Sequence, residues 1–203
     1  MLPPPGRYRY ELRRANAAVS VEEASFDCHA ITVVQRAIEG QTVRQVTAAL
    51  DDEGRISRIS LHYASHLFKR DANYRADNES FRGSVSTVAG RNEIVIKQGR
   101  FGEVEVAGLT VFRMLILAHV RDRGLSRWTG RVAVIDPNSL AAASLKQTCR
   151  VGRTANRWIY EARMGDAEEI ELDEAGRVIM CRNQDGTGSR LVEFEPADGL
   201  AGC

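Results

Sequence analysis

Turn chemistry constrains this chain more than any other feature. Asp51-Asp52-Glu53-Gly54-Arg55-Ile56, Gly99-Arg100-Phe101-Gly102-Glu103-Val104 and Asp173-Glu174-Ala175-Gly176-Arg177-Val178 each lie between segments that alternate apolar with polar residues. Short loops containing Asp and Gly supply the left-handed backbone that tight hairpins need, and alternating flanks bury one face of a strand while wetting the other. The chain therefore reads as antiparallel sheet.

The strands follow from that period of two. Tyr8, Tyr10 and Leu12 share one face while Arg7, Arg9, Glu11 and Arg13 share the other, so the first strand begins at Gly6. Strands are expected over 19–27, 30–37 and 42–50, the last pairing with 55–63 through the first Asp/Gly turn. Further strands fall near 74–76, 80–88, 93–97 and 103–106, then at 128–135, 148–152, 157–163, 168–172, 177–181 and 190–195. Asp185-Gly186-Thr187-Gly188-Ser189 reads as a tight turn joining the last two.

Two segments break the pattern. The run Val111 to Arg123 is apolar around most of its circumference, with Thr110 as a candidate N-cap and Gly124 as its stop. Periodicity alone would also allow a buried strand there; the caps favour a helix, and one enclosed by sheet. Asp136-Pro137-Asn138-Ser139 followed by 140–145 reads as a second, short helix with proline at its first position. The fold expected is mainly β: a strongly curved antiparallel sheet or incomplete β-barrel enclosing one apolar helix, plus the short second one. At 203 residues it forms one domain, 1–203, with loose ends at 1–5 and 197–203.

Charge excludes one class of partner. Twenty-eight Lys and Arg against 27 Asp and Glu leave a formal charge of +1, without the basic footprint of a nucleic-acid binder. No apolar run approaches the roughly 20 residues of a membrane span. Met1 to Gly6 lacks the basic and apolar regions of an export signal, so the chain reads as soluble and cytoplasmic. Cys28, Cys149, Cys181 and Cys203 are far apart and form no metal-binding spacing; they read as reduced structural thiols. No cofactor or metal is implied.

Candidate chemistry is sparse. His66 with Asp71 or Asp77 supplies a titratable group near neutrality and an orienting acid, while Tyr63 facing inward turns His62 outward. His119 and Asp122, three apart, share one side of the helix. Tyr8, Tyr10, Tyr63, Tyr74, Phe112, Trp128, Trp158 and Tyr160 carry an apolar body, most with a polar tip, which suits the wall of a pocket.

The strand order, the enclosed helix and the opening Gly-x-Tyr-x-Tyr pattern at Gly6 to Tyr10 resemble bacterial half-barrel lipid carriers of the lipoprotein-carrier and glycolipid-binding kind. The resemblance implies a curved sheet clasping a helix and carries over no functional residue. The reading is a soluble binding protein for a lipophilic small molecule, held in an apolar pocket between the sheet and the helix at 111–123. The alternative is a cofactor-independent isomerase, cyclase or hydrolase using His66 or His119 with an acidic partner in the same pocket. A third, a structural interaction module, would show a filled core and an exposed apolar patch.

Overall fold

The computed structural model describes residues 2–14, 17–77, 79–97, 103–163 and 166–197. Nine strands precede the single helix and six follow it among these residues. The first nine are β1 (Gly6–Arg14), β2 (Ala17–Phe26), β3 (Ala30–Ala37), β4 (Val43–Leu50), β5 (Ile56–Ala64), β6 (Lys69–Ala76), β7 (Ser80–Thr87), β8 (Gly90–Lys97) and β9 (Glu103–Val106). After α1 (Thr110–Asp122) come β10 (Arg127–Ile135), β11 (Ala142–Val151), β12 (Arg157–Arg163), β13 (Asp166–Leu172), β14 (Val178–Asn183) and β15 (Gly188–Pro196).

All fifteen strands form one sheet, in the order β8-β7-β6-β5-β4-β3-β2-β1-β15-β14-β13-β12-β11-β10-β9. The order is a meander opened between β8 and β9, with the first and last strands of the chain paired at its middle. Every neighbouring pair is antiparallel except β9 and β10, which are parallel because α1 carries the chain back between them. The edge strand β8 lies against β11.

Alternation sets the inner face. Tyr8, Ala24, Val33, Val46, Leu61, Ala72 and Val85 stand opposite one another across seven strands, and all are buried. On the outer face, charged residues pair across strands, as in Arg36–Glu23 at 2.6 Å. Helix α1 packs on the inner face and is buried at Thr110 to Phe112 and at Met114 to Val120. Each large apolar side chain so buried contributes about 1.5–3 kcal/mol.

Both Asp/Gly turns at 51–55 and 173–177 form as expected: Asp51 Oδ1 accepts from the amides of Glu53 and Arg55, and Asp173 Oδ1 from that of Arg177. The Gly99–Gly102 turn lies outside the described residues. The strands on either side of it, β8 and β9, occupy opposite edges of the sheet rather than forming a hairpin.

Three expectations are corrected. No second helix forms at 140–145: Asp136 organises a turn by accepting from the Asn138 and Ser139 amides, Leu140 adopts φ 59°, and Ala142 onward pairs with β10. The ladder to β10 outweighs the helical preference of an alanine-rich stretch. Thr110 is the first helical residue rather than the N-cap; Leu109 holds that position and offers no side-chain cap. Cys28 is disulfide-bonded, whereas Cys149 and Cys181 are free and buried.

Candidate functional site

The inner face carries charge as well as apolar surface. Glu22 stands on β2 between Tyr10 and Gln35, wholly buried. Its Oε2 accepts from the Thr110 amide at 2.9 Å and its Oε1 from the Val111 amide at 3.1 Å, so a strand supplies the cap that Leu109 lacks. The Thr110 hydroxyl lies 2.8 Å from that of Ser189 on β15, tying the helix start to a second strand. Burial pushes the Glu22 carboxyl up to about 7, against the pull of the two amides, the Thr110 hydroxyl and Arg113.

One turn further along α1, Arg113 carries a guanidinium into the core. Its Nε donates to Glu105 at 3.2 Å and its Nη1 pairs with Glu168 at 2.6 Å. Gln147 Nε2 donates to Glu105 Oε2 at 2.5 Å, and the Tyr160 hydroxyl lies between that oxygen, at 3.1 Å, and Gln147 Oε1. Register explains the gathering. Tyr160 and Glu168 are cross-strand partners, and Gln147 lies two residues from Cys149, which faces Tyr160. Burial alone would lower the Arg113 pKa, but Glu168 and Glu105 outweigh it and hold the guanidinium charged. With one cation among these carboxylates, burial raises the Glu168 pKa, opposed by Arg113 and reinforced by Glu105.

The last turn of α1 adds a third group. His119 Nδ1 lies 3.0 Å from Glu103 Oε2, both residues being buried, while His119 Nε2 has no hydrogen-bond partner. Glu103 and Glu105 face the helix, and Val104 and Val106 face away. Val106 borders a void of about 10 Å³ with Val46, Leu61, Leu109 and Leu140. Strand β9 is thus covered on both sides, which is why all four of its residues are buried.

The expected catalytic residues are not brought together. His66 is exposed in the turn between β5 and β6. Asp71 is exposed on β6 and pairs with His62, at 2.7 Å from Nδ1, not with His66. His119 has Glu103 rather than Asp122 as its hydrogen-bonded acid.

The aromatic residues expected to line a pocket pack mostly as core. Tyr8 sits against Phe194 with its hydroxyl on the Pro4 carbonyl, and Tyr10 reaches Met114 Sδ at 3.8 Å. Tyr63 stacks on Phe68, and Tyr74 stacks on Phe81 while donating to the Leu140 carbonyl at 2.6 Å. Phe112 and Tyr160 are buried, Trp128 is half-buried over Gly130, and Trp158 is buried with Nε1 unpartnered. Sequence reasoning missed Glu22, Glu105, Arg113 and Glu168. Glu22 left a signal, since it shares the period-two face of Ala24 and Phe26.

Open space lies at the ends and outside of the sheet. A recess of about 350 Å³ adjoins the C-terminal end of α1, bounded by Leu2, Pro3, Ala118, Arg121, Asp122 and the β13–β14 turn at Glu174 to Gly176. A second, of about 490 Å³, crosses β14 and β15, and a third, of about 360 Å³, lies along β1 to β3 and β15. Among the described residues no His, Cys, Asp and Glu side chains are grouped to hold a metal ion, and no helix is long and apolar enough to cross a membrane.

No protein-family model and no curated protein matches the chain. Two solved structures are similar in fold. A DUF1089 family protein from Pseudomonas aeruginosa is 18% identical with a TM-score of 0.59, covering 81% of this chain and 90% of its own. A β-barrel-like protein of the domain of unknown function DUF1849 from Brucella abortus is 15% identical with a TM-score of 0.60, covering 98% of this chain and 99% of its own. The barrel-like architecture is thus shared along almost the whole chain.

Proposed function

We propose that this protein binds a lipophilic small molecule in the recess where the C-terminal end of α1 meets the β13–β14 turn. The observation that carries the reading is the position of that recess. It reaches Ala118 on the buried helix and is bounded on another side by Leu2 and Pro3. Leu2 is half-buried, packed against the core and close over Gly54. A ligand with an apolar body lies against Leu2, Pro3 and Ala118, while Arg121, Asp122 and Glu174 offer polar contacts.

Binding is favoured over acid–base catalysis because His66 and Asp71 are exposed and separate, and because His119, although bonded to Glu103, does not line the recess. The disulfide at Cys28 supports an oxidising compartment over the cytoplasm, where thiols are kept reduced.

Native mass spectrometry of protein purified from its own host, followed by solvent extraction, tests the reading. A stoichiometric lipophilic molecule released on extraction is the expected result. Protein that arrives empty and takes up no apolar compound from a lipid extract would overturn it.

A further inference from the structure

The recess across β14 and β15 has a built-in cause. These strands run over six and nine residues, but their ladder holds only Met180↔Arg190, Cys181↔Ser189 and Arg182↔Gly188. Cys181 and Ser189 are buried, the Ser189 hydroxyl reaching Thr110. Gly188 presents no side chain. A Cβ there would come within 2.1 Å of the Cys181 carbonyl, so the close approach of β14 and β15 requires glycine at this position.

Arginines flank this glycine. Gly188 is opposite Arg13 on one side and Arg182 on the other, and Arg190 follows two residues along β15. All three line the recess of about 490 Å³. Arg182 and Arg190 are exposed and make no ion pair among the described residues. Of the nearby acids, Glu171 has Arg157 at 3.6 Å, Glu169 has Arg157 at 3.3 Å, and Asp185 accepts from the Thr187 amide and hydroxyl within its own turn, while Glu11 stands opposite Arg190 across β1 and β15.

We infer that the outer-face slot over Gly188, between Arg13 and Arg182 with Arg190 beside it, binds a phosphate group. Guanidinium forks match tetrahedral oxyanions through paired N–H donors, and the recess that these three arginines line beside Gly188 has room for one. The volume admits a phosphate ester with a small body as well as the bare ion. The slot is separate from the recess at the end of α1 and does not depend on it.

The probes are inorganic phosphate, and phosphatidylcholine vesicles with and without phosphatidic acid. Amide chemical shifts report phosphate, and co-sedimentation reports the vesicles. The inference expects shifts centred on Gly188 and Arg190, with binding about tenfold weaker in each of Arg182→Gln and Arg190→Gln. Shifts with free phosphate assign a soluble phosphate compound. Sedimentation only with phosphatidic acid, lost in the same variants, assigns a lipid headgroup. No response at Gly188 to either probe, or equal binding by both variants, overturns the inference.

Discussion

Glu22 and Thr110 stand 88 positions apart, yet the Glu22 carboxylate receives the Thr110 amide at 2.9 Å and the Val111 amide at 3.1 Å. A strand near one end of the chain thereby closes the first turn of the only helix among the described residues. The helix is held to the sheet at three levels: Glu22 at its start, Arg113 between Glu105 and Glu168, and His119 on Glu103. The first level joins α1 to β2, the second to β9 and β13, and the third to β9 again.

Glu22→Ala removes the cap and leaves a buried void, and we expect a loss of about 2–4 kcal/mol in urea unfolding. Glu22→Gln keeps the acceptor and loses less.

The pH dependence follows from the direction of the shift. The folded-state value of about 7 lies above the ordinary 4.5, so the unfolded chain gives up this proton first. The stabilisation is complete below about pH 4.5 and is lost as pH rises toward 7, on the order of 3 kcal/mol in all. Glu168, also raised, adds a change of the same sign. Unfolding midpoints compared at about pH 5 and pH 8 should therefore fall with rising pH, and fall less in Glu22→Gln. A steeper fall in that variant contradicts the assignment.

Arg113→Met strands Glu105 and Glu168 in the core. Breaking a buried pair from one side costs about 3–5 kcal/mol, whereas neutralising the acids as well restores much of it. Thermal melts of Arg113→Met, alone and combined with Glu105→Gln and Glu168→Gln, should show loss and partial recovery.

Gly83 faces Tyr74 across β6 and β7, where a Cβ would fall 2.0 Å from the Asn73 carbonyl and 2.6 Å from the Tyr74 ring. Gly83→Ala must push the strands apart and disturb the Tyr74–Phe81 stack. The expected loss is about 3 kcal/mol, read from urea melts.

How far the chain can be read without its structure depends on the range of the interaction. The turns at Asp51 and Asp173 were legible because each aspartate bonds amides within four residues of itself. The enclosure of α1 was legible from its nearly continuous apolar surface. The stretch at 140–145 misled because alanine-rich sequence favours a helix locally while the Ile135↔Ala142 pairing favours a strand. Strand β9 alternates in sequence, yet both its faces are covered. Its parallel pairing to β10 follows only once the helix crossing is known. At the candidate site, the tyrosines were found on inward faces, but the acids that surround Arg113 come from β9 and β13, and no local pattern connects them.

The thiols offer a direct check. Burial pushes Cys149 up to about 12 and Cys181 higher still, so neither presents a thiolate. Alkylation of the native, unreduced protein should leave Cys28, Cys149 and Cys181 unlabelled by peptide mapping. Reductant without denaturant should expose Cys28 alone of the three.

The measurement closest to the central claim uses Ala175, exposed on the β13–β14 turn and lining the recess at the end of α1. Ala175→Trp fills that space from its rim without touching the core. Fluorescence titration with the neutral apolar probe N-phenyl-1-naphthylamine should give saturable binding to the natural protein and at least a tenfold weaker response in Ala175→Trp, with unchanged unfolding midpoints. Equal binding by the two proteins, or none by the natural one, would contradict a lipophilic site at the end of α1.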